Sequence, residues 1–216
     1  MMIRLHSKIA AGFIALTLAS SMGFGMDFGQ SAITGTVTVP PVPSDLQPDA
    51  GNVAFLEGHA TGTQNYVCLP SPSGFAWTFF APQATLFQNI RWFPRDIKQQ
   101  IVTHFLSPNP SENGLSRVTW QSSFDTSAVW AKIKTPSTDP AFVAAGAIPW
   151  LLLDVVGAQR GPTEGALLTP ALQIHRINTH GGVAPSAGCS ESANVGATAL
   201  VPYTADYFFY KAGGKH

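Results

Sequence analysis

Residues 63–80 read TQNYVCLPSPSGFAWTFF, in which two alternating stretches flank a short run of proline, serine and glycine. In TQNYVCL, Tyr66 and Cys68 fall on one face, and in GFAWTFF the bulky aromatic residues alternate with smaller ones. Successive side chains of a β-strand point to opposite faces, so alternation with a period of two indicates a half-buried strand. The stretch therefore predicts two strands that are separated by a turn.

The same kind of segment recurs along most of the chain, each one bounded by turn residues. Residues 127–134 (SAVWAKIK) alternate, and residues 147–156 (AIPWLLLDVV) are almost continuously apolar, as expected for a central strand. Residues 165–179 and 199–211 supply the last strands, and the sequence shows neither an internal repeat nor a βαβ alternation. Many short strands joined by glycine- and proline-rich turns predict an all-β fold: a single-domain antiparallel β-sandwich or barrel with about ten strands.

The first 25 residues have the plan of a secretory signal peptide. Two basic residues precede an apolar run, and small residues follow up to Gly25, near which we place the cleavage site. The alternative is an uncleaved N-terminal anchor, but the apolar run is shorter than the roughly 20 residues that a membrane span needs. Residues 26–50 are Pro-rich and predict an extended lead-in, which leaves residues 51–211 as the all-β domain.

Charged side chains are scarce, at 11% of the chain, and the 12 basic residues balance the 12 acidic ones. The chain lacks the basic patch that nucleic-acid-binding proteins use for phosphates, so nucleic acid is not an expected partner. No stretch after the signal peptide is long enough to span a membrane. Low charge together with plentiful apolar and uncharged polar residues is typical of an exported protein, so we expect a secreted or periplasmic location.

The chain has two cysteines, Cys68 and Cys189, and export makes their pairing predictable. In an oxidising compartment an even number of cysteines indicates a disulfide, and two cysteines allow one intramolecular bond. The alternative, a catalytic thiol, needs a nearby base and a reducing environment. Cys189 ends the stretch NTHGGVAPSAGC (178–189), whose glycines and proline predict a sharp turn that the bond ties to an earlier strand.

A series of ordered motifs lies within residues 51–210. It includes Gln64-x-Tyr66-x-Cys68, Trp77-x-Phe79, Ala81-Pro82-x-Ala84-x-Leu86-Phe87, Thr103-His104, AIPWLLL (147–153), Ile174-x-Arg176-Ile177-Asn178-Thr179-x-Gly181-Gly182, Pro185, Cys189 and VPYTA-x-Tyr207-x-Phe209-Tyr210 (201–210). In this order the motifs resemble those of the exported proteins grouped as domain of unknown function 3455, and the resemblance supplies no established activity. Some fungal members are labelled malate-dehydrogenase-like, but here no G-x-G-x-x-G follows a strand to bind a dinucleotide.

The segment PRDIKQQIVTHF (94–105) fits either a helical stripe of apolar residues or a strand. Family members carry the Thr-His pair on an extended segment, so the resemblance favours a strand through residues 100–106. Members usually continue from the histidine through a short Gly-Pro turn to a tryptophan. Here LSPNPSENGLSRV (106–118) stands between His104 and Trp120, which is a departure from the family pattern.

No familiar catalytic motif is present: the chain lacks G-x-S-x-G, H-E-x-x-H, C-x-x-C and the calcium-loop pattern. His104 is the first candidate for a functional residue, because imidazole titrates near neutral pH. The alternative for His104 is a partly buried ring that is hydrogen-bonded to the backbone or to a neighbouring side chain. Arg176 is the second candidate, either as an anion-binding group or as the partner of a carboxylate such as Asp206 or Glu57. The alternative is a surface arginine without a specific role.

Neither a metal nor any other cofactor is expected. The alternative is a three-histidine metal site drawn from the four histidines of the domain, which are His59, His104, His175 and His180. Among the tryptophans, Trp92 and Trp120 lie nearest to loop-like segments, which makes them the candidates for a ligand-stacking surface.

Two functional classes follow from these observations. The first, which has more support, is a non-enzymatic envelope or extracellular module, binding or structural, whose partner is a cell-surface polymer or another protein. The second is a hydrolase or metal-dependent enzyme whose site combines His104, Arg176 and a carboxylate. The carboxylates are scattered along the chain, and their spacing brings no two of them together as a catalytic pair. The sequence carries no signal for the oligomeric state.

Overall fold

The computed structural model describes residues 37–214, with the exception of the side chain of Trp92. The predicted signal peptide (1–25) and the first part of the predicted lead-in lie outside the described residues. The described part of the chain forms eight strands: β1 (Asn52–Ser71), β2 (Gly74–Trp92), β3 (Arg95–Asn109), β4 (Leu115–Ser122), β5 (Ala128–Ser137), β6 (Trp150–Gln159), β7 (Gln173–Gly181) and β8 (Thr198–Ala212). It also contains three short 3-10 helices: Ser44–Leu46, Pro110–Glu112 and Ser192–Asn194. Within residues 37–214, no helix has the length and apolar character that a membrane crossing requires.

The all-β prediction is confirmed, but the strands are fewer and longer than the ten or so expected. β1 has 20 residues and β2 has 19, because residues that suggested strand ends lie inside them. Gly62 of β1 pairs with Ala84 of β2, where an added Cβ would overlap the carbonyl of Gln83. At this position glycine lets two strands approach closely and does not end a strand.

The strands close into a barrel, which decides between the two predicted architectures. Each strand pairs antiparallel with the next one along the chain, and β8 returns to pair with β1 along most of its length. Full closure of this kind pairs both edges of the sheet. The strand expected through residues 100–106 is confirmed as part of β3.

Alternate side chains of the strands point inward and pack into one apolar core inside the barrel. At one end this core is complete, with Leu56 and Phe209 fully buried. Leu168, from the connection between β6 and β7, is also fully buried there, and its backbone N–H donates to the hydroxyl of Ser127 at 3.1 Å. The candidate functional site lies at the opposite end, which the core side chains do not fill.

The described part of the lead-in, residues 37–50, packs against the outside of the barrel. Leu46 is fully buried in a second apolar cluster, together with Trp150 and Leu152 of β6. The almost continuous apolar run of β6 therefore has two causes: one face of the strand joins the interior core, and the lead-in covers the other face.

His175 attaches the lead-in to the barrel. Its Nε2–H donates to the carbonyl of Leu46 at 2.6 Å, and the hydroxyl of Tyr210 donates to its Nδ1 at 2.9 Å. Burial lowers the pKa of His175, which favours the neutral ring that both hydrogen bonds require. This candidate metal ligand is thus engaged in fixing the chain outside the barrel.

Cys68 and Cys189 form the predicted disulfide. The turn that precedes Cys189 uses Gly181 and Gly182 at φ values of +68° and +80°, a region that glycine enters without strain. The hydroxyl of Tyr66, two residues before Cys68, donates to the carbonyl of Gly182 at 2.7 Å. One covalent bond and one buried hydrogen bond therefore hold this loop against β1.

Candidate functional site

The unfilled end of the barrel contains a cavity of about 300 Å³ that opens to solvent. Its wall is mostly apolar and includes Val118, Ile148 and Leu151. Phe79 and Ile133 also line it, and they leave 44% and 56% of their surfaces exposed at its open side. A concave, mainly apolar site of this volume falls at the lower end of the range for small-molecule ligands.

Polar side chains reach the cavity from five different strands. They are Gln64 and Tyr66 of β1, His104 of β3, Trp120 of β4, Arg176 of β7 and Tyr207 of β8. Arg176 follows the buried Ile174 on the inward face of β7, whereas the adjacent His175 faces the lead-in. The period of two residues therefore sends neighbouring side chains of β7 to opposite sides of the barrel wall.

His104 is a buried neutral ring. Its exposed fraction is 3%, and its Nδ1–H donates to the carbonyl of Thr119 at 2.9 Å. Burial lowers the pKa of His104 to about 3, although the hydrogen bond to Thr119 acts in the opposite direction. The ring stacks on Trp120 with 4.2 Å between the ring centroids. This environment matches the alternative that the sequence left open for His104, a ring hydrogen-bonded to backbone.

The long segment between His104 and Trp120 does not separate these two residues. They are direct cross-strand partners in the β3–β4 pairing, and residues 110–114 form the turn at the far end of the same hairpin. The departure from the family pattern therefore lengthens one hairpin and leaves the histidine and the tryptophan side by side.

Arg176 has no carboxylate partner within residues 37–214. Its Nη2 donates to the carbonyl of Pro149 at 2.9 Å, and no carboxylate oxygen of the described residues lies within 4.0 Å of its guanidinium. The two carboxylates suggested by the sequence lie beside His59 instead. Asp206 Oδ1 is 2.7 Å from His59 Nδ1, and Glu57 Oε1 is 3.9 Å from His59 Nε2.

Three buried donor atoms of the cavity have no hydrogen-bond partner among residues 37–214: Gln64 Nε2, Trp120 Nε1 and Arg176 Nε. One further such atom in the described part of the chain, Trp150 Nε1, belongs to the second apolar cluster, which lies between β6 and the lead-in. An unpaired buried donor costs about 1–3 kcal/mol, so buried donors are normally paired. The convergence of three of them on one cavity is typical of a site that binds acceptor atoms.

A pair of buried phenols, Tyr207 in the cavity lining and Tyr203 behind it, lies beside Arg176 and Gln64. The hydroxyl oxygens of Tyr203 and Tyr207 are 3.2 Å apart. Burial raises the pKa of Tyr207 and, together with the neighbouring phenol, that of Tyr203, so both hydroxyls stay protonated. Their mutual hydrogen bond uses one of the two protons, and the other proton remains available for donation.

The four histidines considered as metal ligands lie in separate places. His104 is inside the barrel, His175 is under the lead-in, His59 is beside two carboxylates on the outside, and His180 is exposed. Within the described residues, no group of three or more histidine, cysteine, aspartate or glutamate side chains is arranged to hold a metal ion.

The two tryptophans predicted as a stacking surface have different outcomes. Trp92 ends β2, and its side chain lies outside what the structure describes. Trp120 is within β4 and not on a loop, and its exposed fraction is 1%. It lines the cavity, one face of its ring is stacked on His104, and its indole N–H has no hydrogen-bond partner among the described residues.

Sequence reasoning did not single out Gln64, Tyr203 or Tyr207 as site residues. The available signal was their position on strand faces: Gln64 alternates with Tyr66, and Tyr203 alternates with Tyr207 through the small Ala205. Such alternation indicates that the residues share one face of a strand. It does not distinguish a face that borders a cavity from one that packs into a filled core.

The family model described as "Protein of unknown function (DUF3455)" matches residues 49–211. No curated protein and no solved structure matches the chain. The matched region contains every residue that lines the cavity and both cysteines of the disulfide. The chain therefore belongs to the DUF3455 family of proteins of unknown function.

Proposed function

We propose that the protein is an exported, non-enzymatic binding module that takes a small and largely apolar molecule into the open end of its barrel. The observation that carries this proposal is the cavity of about 300 Å³ with an apolar wall and exposed apolar residues at its opening. Barrels of eight strands have an interior wide enough to hold one small ligand. Water leaves both the wall and the ligand on binding, which supplies the affinity.

The chemistry of the cavity favours binding over catalysis. The alternative enzyme needs a carboxylate beside His104 and Arg176, and the described cavity lining contains none. A ring whose pKa is about 3 is a weak proton acceptor at neutral pH, because a general base works best when its pKa is near the operating pH. His104 in this proposal packs and hydrogen-bonds, and does not transfer protons.

The disulfide supports the part of the proposal that concerns export. A bond between Cys68 and Cys189 persists in oxidising compartments, such as the periplasm or the cell exterior, and is rare in a reducing cytosol. The signal peptide predicted for residues 1–25 leads to the same location. We therefore propose a secreted or periplasmic binding protein.

Filling the cavity should weaken binding strongly without unfolding the barrel. We expect Val118→Phe to lower the affinity for octan-1-ol and 2-phenylethanol at least tenfold in calorimetric titrations, because the larger ring occupies ligand space. Val53→Phe, at a position that is 46% exposed and does not line the cavity, is the matched control and should bind like the wild type. If neither alcohol binds the wild-type protein, or if both variants bind equally, the cavity is not the binding site.

An exposed hairpin tip favours a second candidate function, attachment to an anionic cell-surface polymer. Phe93, between β2 and β3, leaves 89% of its surface exposed, and Ile97 is also exposed. Three cations and one anion surround them: Arg91, Arg95, Lys98 and Asp96. Exposed apolar side chains with a positive surround are typical of a contact surface for a negatively charged partner.

The hairpin can be tested separately from the cavity. We expect Phe93→Ser to reduce retention on peptidoglycan about fivefold or more at low salt, because the most exposed apolar contact is lost. Phe124→Ser changes an exposed phenylalanine elsewhere and should leave retention unchanged. Equal retention of wild type and Phe93→Ser would remove the polymer from consideration.

A further inference from the structure

We infer that the ligand of the cavity is a small apolar monocarboxylic acid, whose carboxylate binds Arg176 while its hydrocarbon part occupies the apolar wall. This inference rests on the proposed function, because it names the class of molecule that the binding module takes. Its evidence is the set of unpaired donors that line the cavity, which is independent of the apolar wall that supports binding itself.

The charge balance of the cavity calls for one negative charge. Arg176 lines the cavity and carries a cation that no carboxylate of residues 37–214 neutralises. A charge that is largely removed from water is costly unless it is paired. The other titratable side chains of the lining, His104, Tyr66 and Tyr207, are neutral, because burial lowers the pKa of the imidazole and raises those of the phenols. One uncompensated cation matches a monoanion.

The hydrogen-bonding groups call for acceptor atoms. A guanidinium has five N–H donors: Nη2 of Arg176 donates to the carbonyl of Pro149, and the side chain also interacts with the hydroxyl of Tyr207, which leaves donors over for a ligand. The buried atoms of the cavity that lack partners, on Arg176, Gln64 and Trp120, are all donors. A carboxylate carries only acceptors when ionised, and its two oxygens match the fork of a guanidinium.

The remainder of the cavity selects against a small hydrated anion. Most of the other side chains that line the cavity, such as Val118, Ile148 and Leu151, are apolar and offer no hydrogen bonds. Inorganic phosphate would not fill the apolar part of the cavity. It would also lose its hydration shell and gain only one cationic partner, Arg176, in return. A molecule with one acidic head and an apolar body uses both parts of the site.

The test compares acids with alcohols of the same shape. Calorimetric titration at pH 7 of the mature chain uses octanoate and phenylacetate, each beside its alcohol, octan-1-ol and 2-phenylethanol, with inorganic phosphate as a fifth probe. We expect each acid to bind the wild type at least tenfold more tightly than its alcohol, because the acid adds a charge-assisted pair with Arg176. Phosphate should bind at least tenfold more weakly than octanoate.

Variants then identify the side chain that binds the carboxylate of the ligand. Arg176→Met should lower the affinity for both acids about tenfold or more and change the affinity for the alcohols by less than about twofold. Arg160→Met, an exposed arginine away from the cavity, is the matched control and should bind all probes like the wild type. If Arg176→Met does not fold by circular dichroism, Gln64→Leu removes one unpaired donor and should lower the affinity for acids alone.

The outcomes separate this inference from the proposed function. Alcohols that bind as tightly as the acids, or acids that bind Arg176→Met and wild type equally, overturn the carboxylate assignment while the cavity remains a binding site. Phosphate that binds as tightly as octanoate overturns the apolar acid as the ligand class. If no acid and no alcohol binds, the proposed function itself fails.

Discussion

Loss of the Cys68–Cys189 bond is expected to lower the free energy of unfolding by about 4–5 kcal/mol. The bond joins residues that are 121 positions apart, and a closed loop of this length removes a large amount of conformational entropy from the unfolded chain. Urea denaturation followed by circular dichroism, with and without a reductant, measures the difference. The double variant Cys68→Ala, Cys189→Ala should lose at least as much stability as the reduced wild type, because truncation of the buried Cys68 adds a packing loss.

Reduction of the disulfide should also affect ligand binding in the cavity. Cys68 lies two residues from Tyr66, whose ring lines the cavity and whose hydroxyl holds the loop at Gly182. We expect reduction to weaken octanoate binding under conditions in which the barrel remains folded. A reduced protein that loses less than about 1 kcal/mol of stability would contradict the entropic account of the bond.

The stability of the protein should fall steeply between pH 6.5 and pH 3, and His104 should cause much of the fall. Its folded-state pKa of about 3 lies below the ordinary value of 6.5, so in this window the unfolded chain binds a proton that the folded chain does not. Each pH unit then costs up to about 1.4 kcal/mol, a loss on the order of 4 kcal/mol across the window. The stabilising contribution of the neutral ring is complete above pH 6.5 and is lost as the pH decreases.

The measurement is the free energy of unfolding at several pH values for wild type, His104→Gln and His180→Gln. His175, whose pKa is also lowered by burial, acts in the same direction, and Glu112, held by Arg117 at a pKa of about 2, loses its contribution below its ordinary pKa of 4.5. The readout is therefore the difference in slope. His104→Gln should flatten the profile, and His180→Gln, at an exposed position, should run parallel to the wild type. Equal slopes for His104→Gln and wild type would show that His104 is not the group responsible.

Several features of the fold were predictable because they depend on local pattern. Alternation of side chains indicated strands around Tyr66 and Val129, and the structure confirms both as parts of β1 and β5. The disulfide followed from a count of two cysteines in a chain that was expected to be exported. The strand that carries His104 was ambiguous by periodicity, and the family resemblance resolved it correctly.

The candidate site was predicted only in part. His104 and Arg176 were named from the sequence and do line one cavity, but the expected carboxylate partners lie outside it with His59. Gln64 and Tyr207 were missed, because glutamine and tyrosine on a strand face carry no signal that distinguishes a cavity from a packed core. The location of Trp120 was misread because residues 106–118 resembled a loop, whereas they form the rest of the β3–β4 hairpin.

By itself the sequence determined the secondary structure class, the pairing of the two cysteines and the family, since each depends on side-chain alternation, on a count or on ordered motifs. Only the tertiary structure decided that the strands close into a barrel, that the lead-in covers one outer face, and that Arg176 faces inward while His175 does not. The physical reason is that alternation assigns residues to two faces of a strand but does not determine which face points into the barrel. That is decided by contacts between distant parts of the chain, above all the pairing of β8 with β1 that encloses the interior.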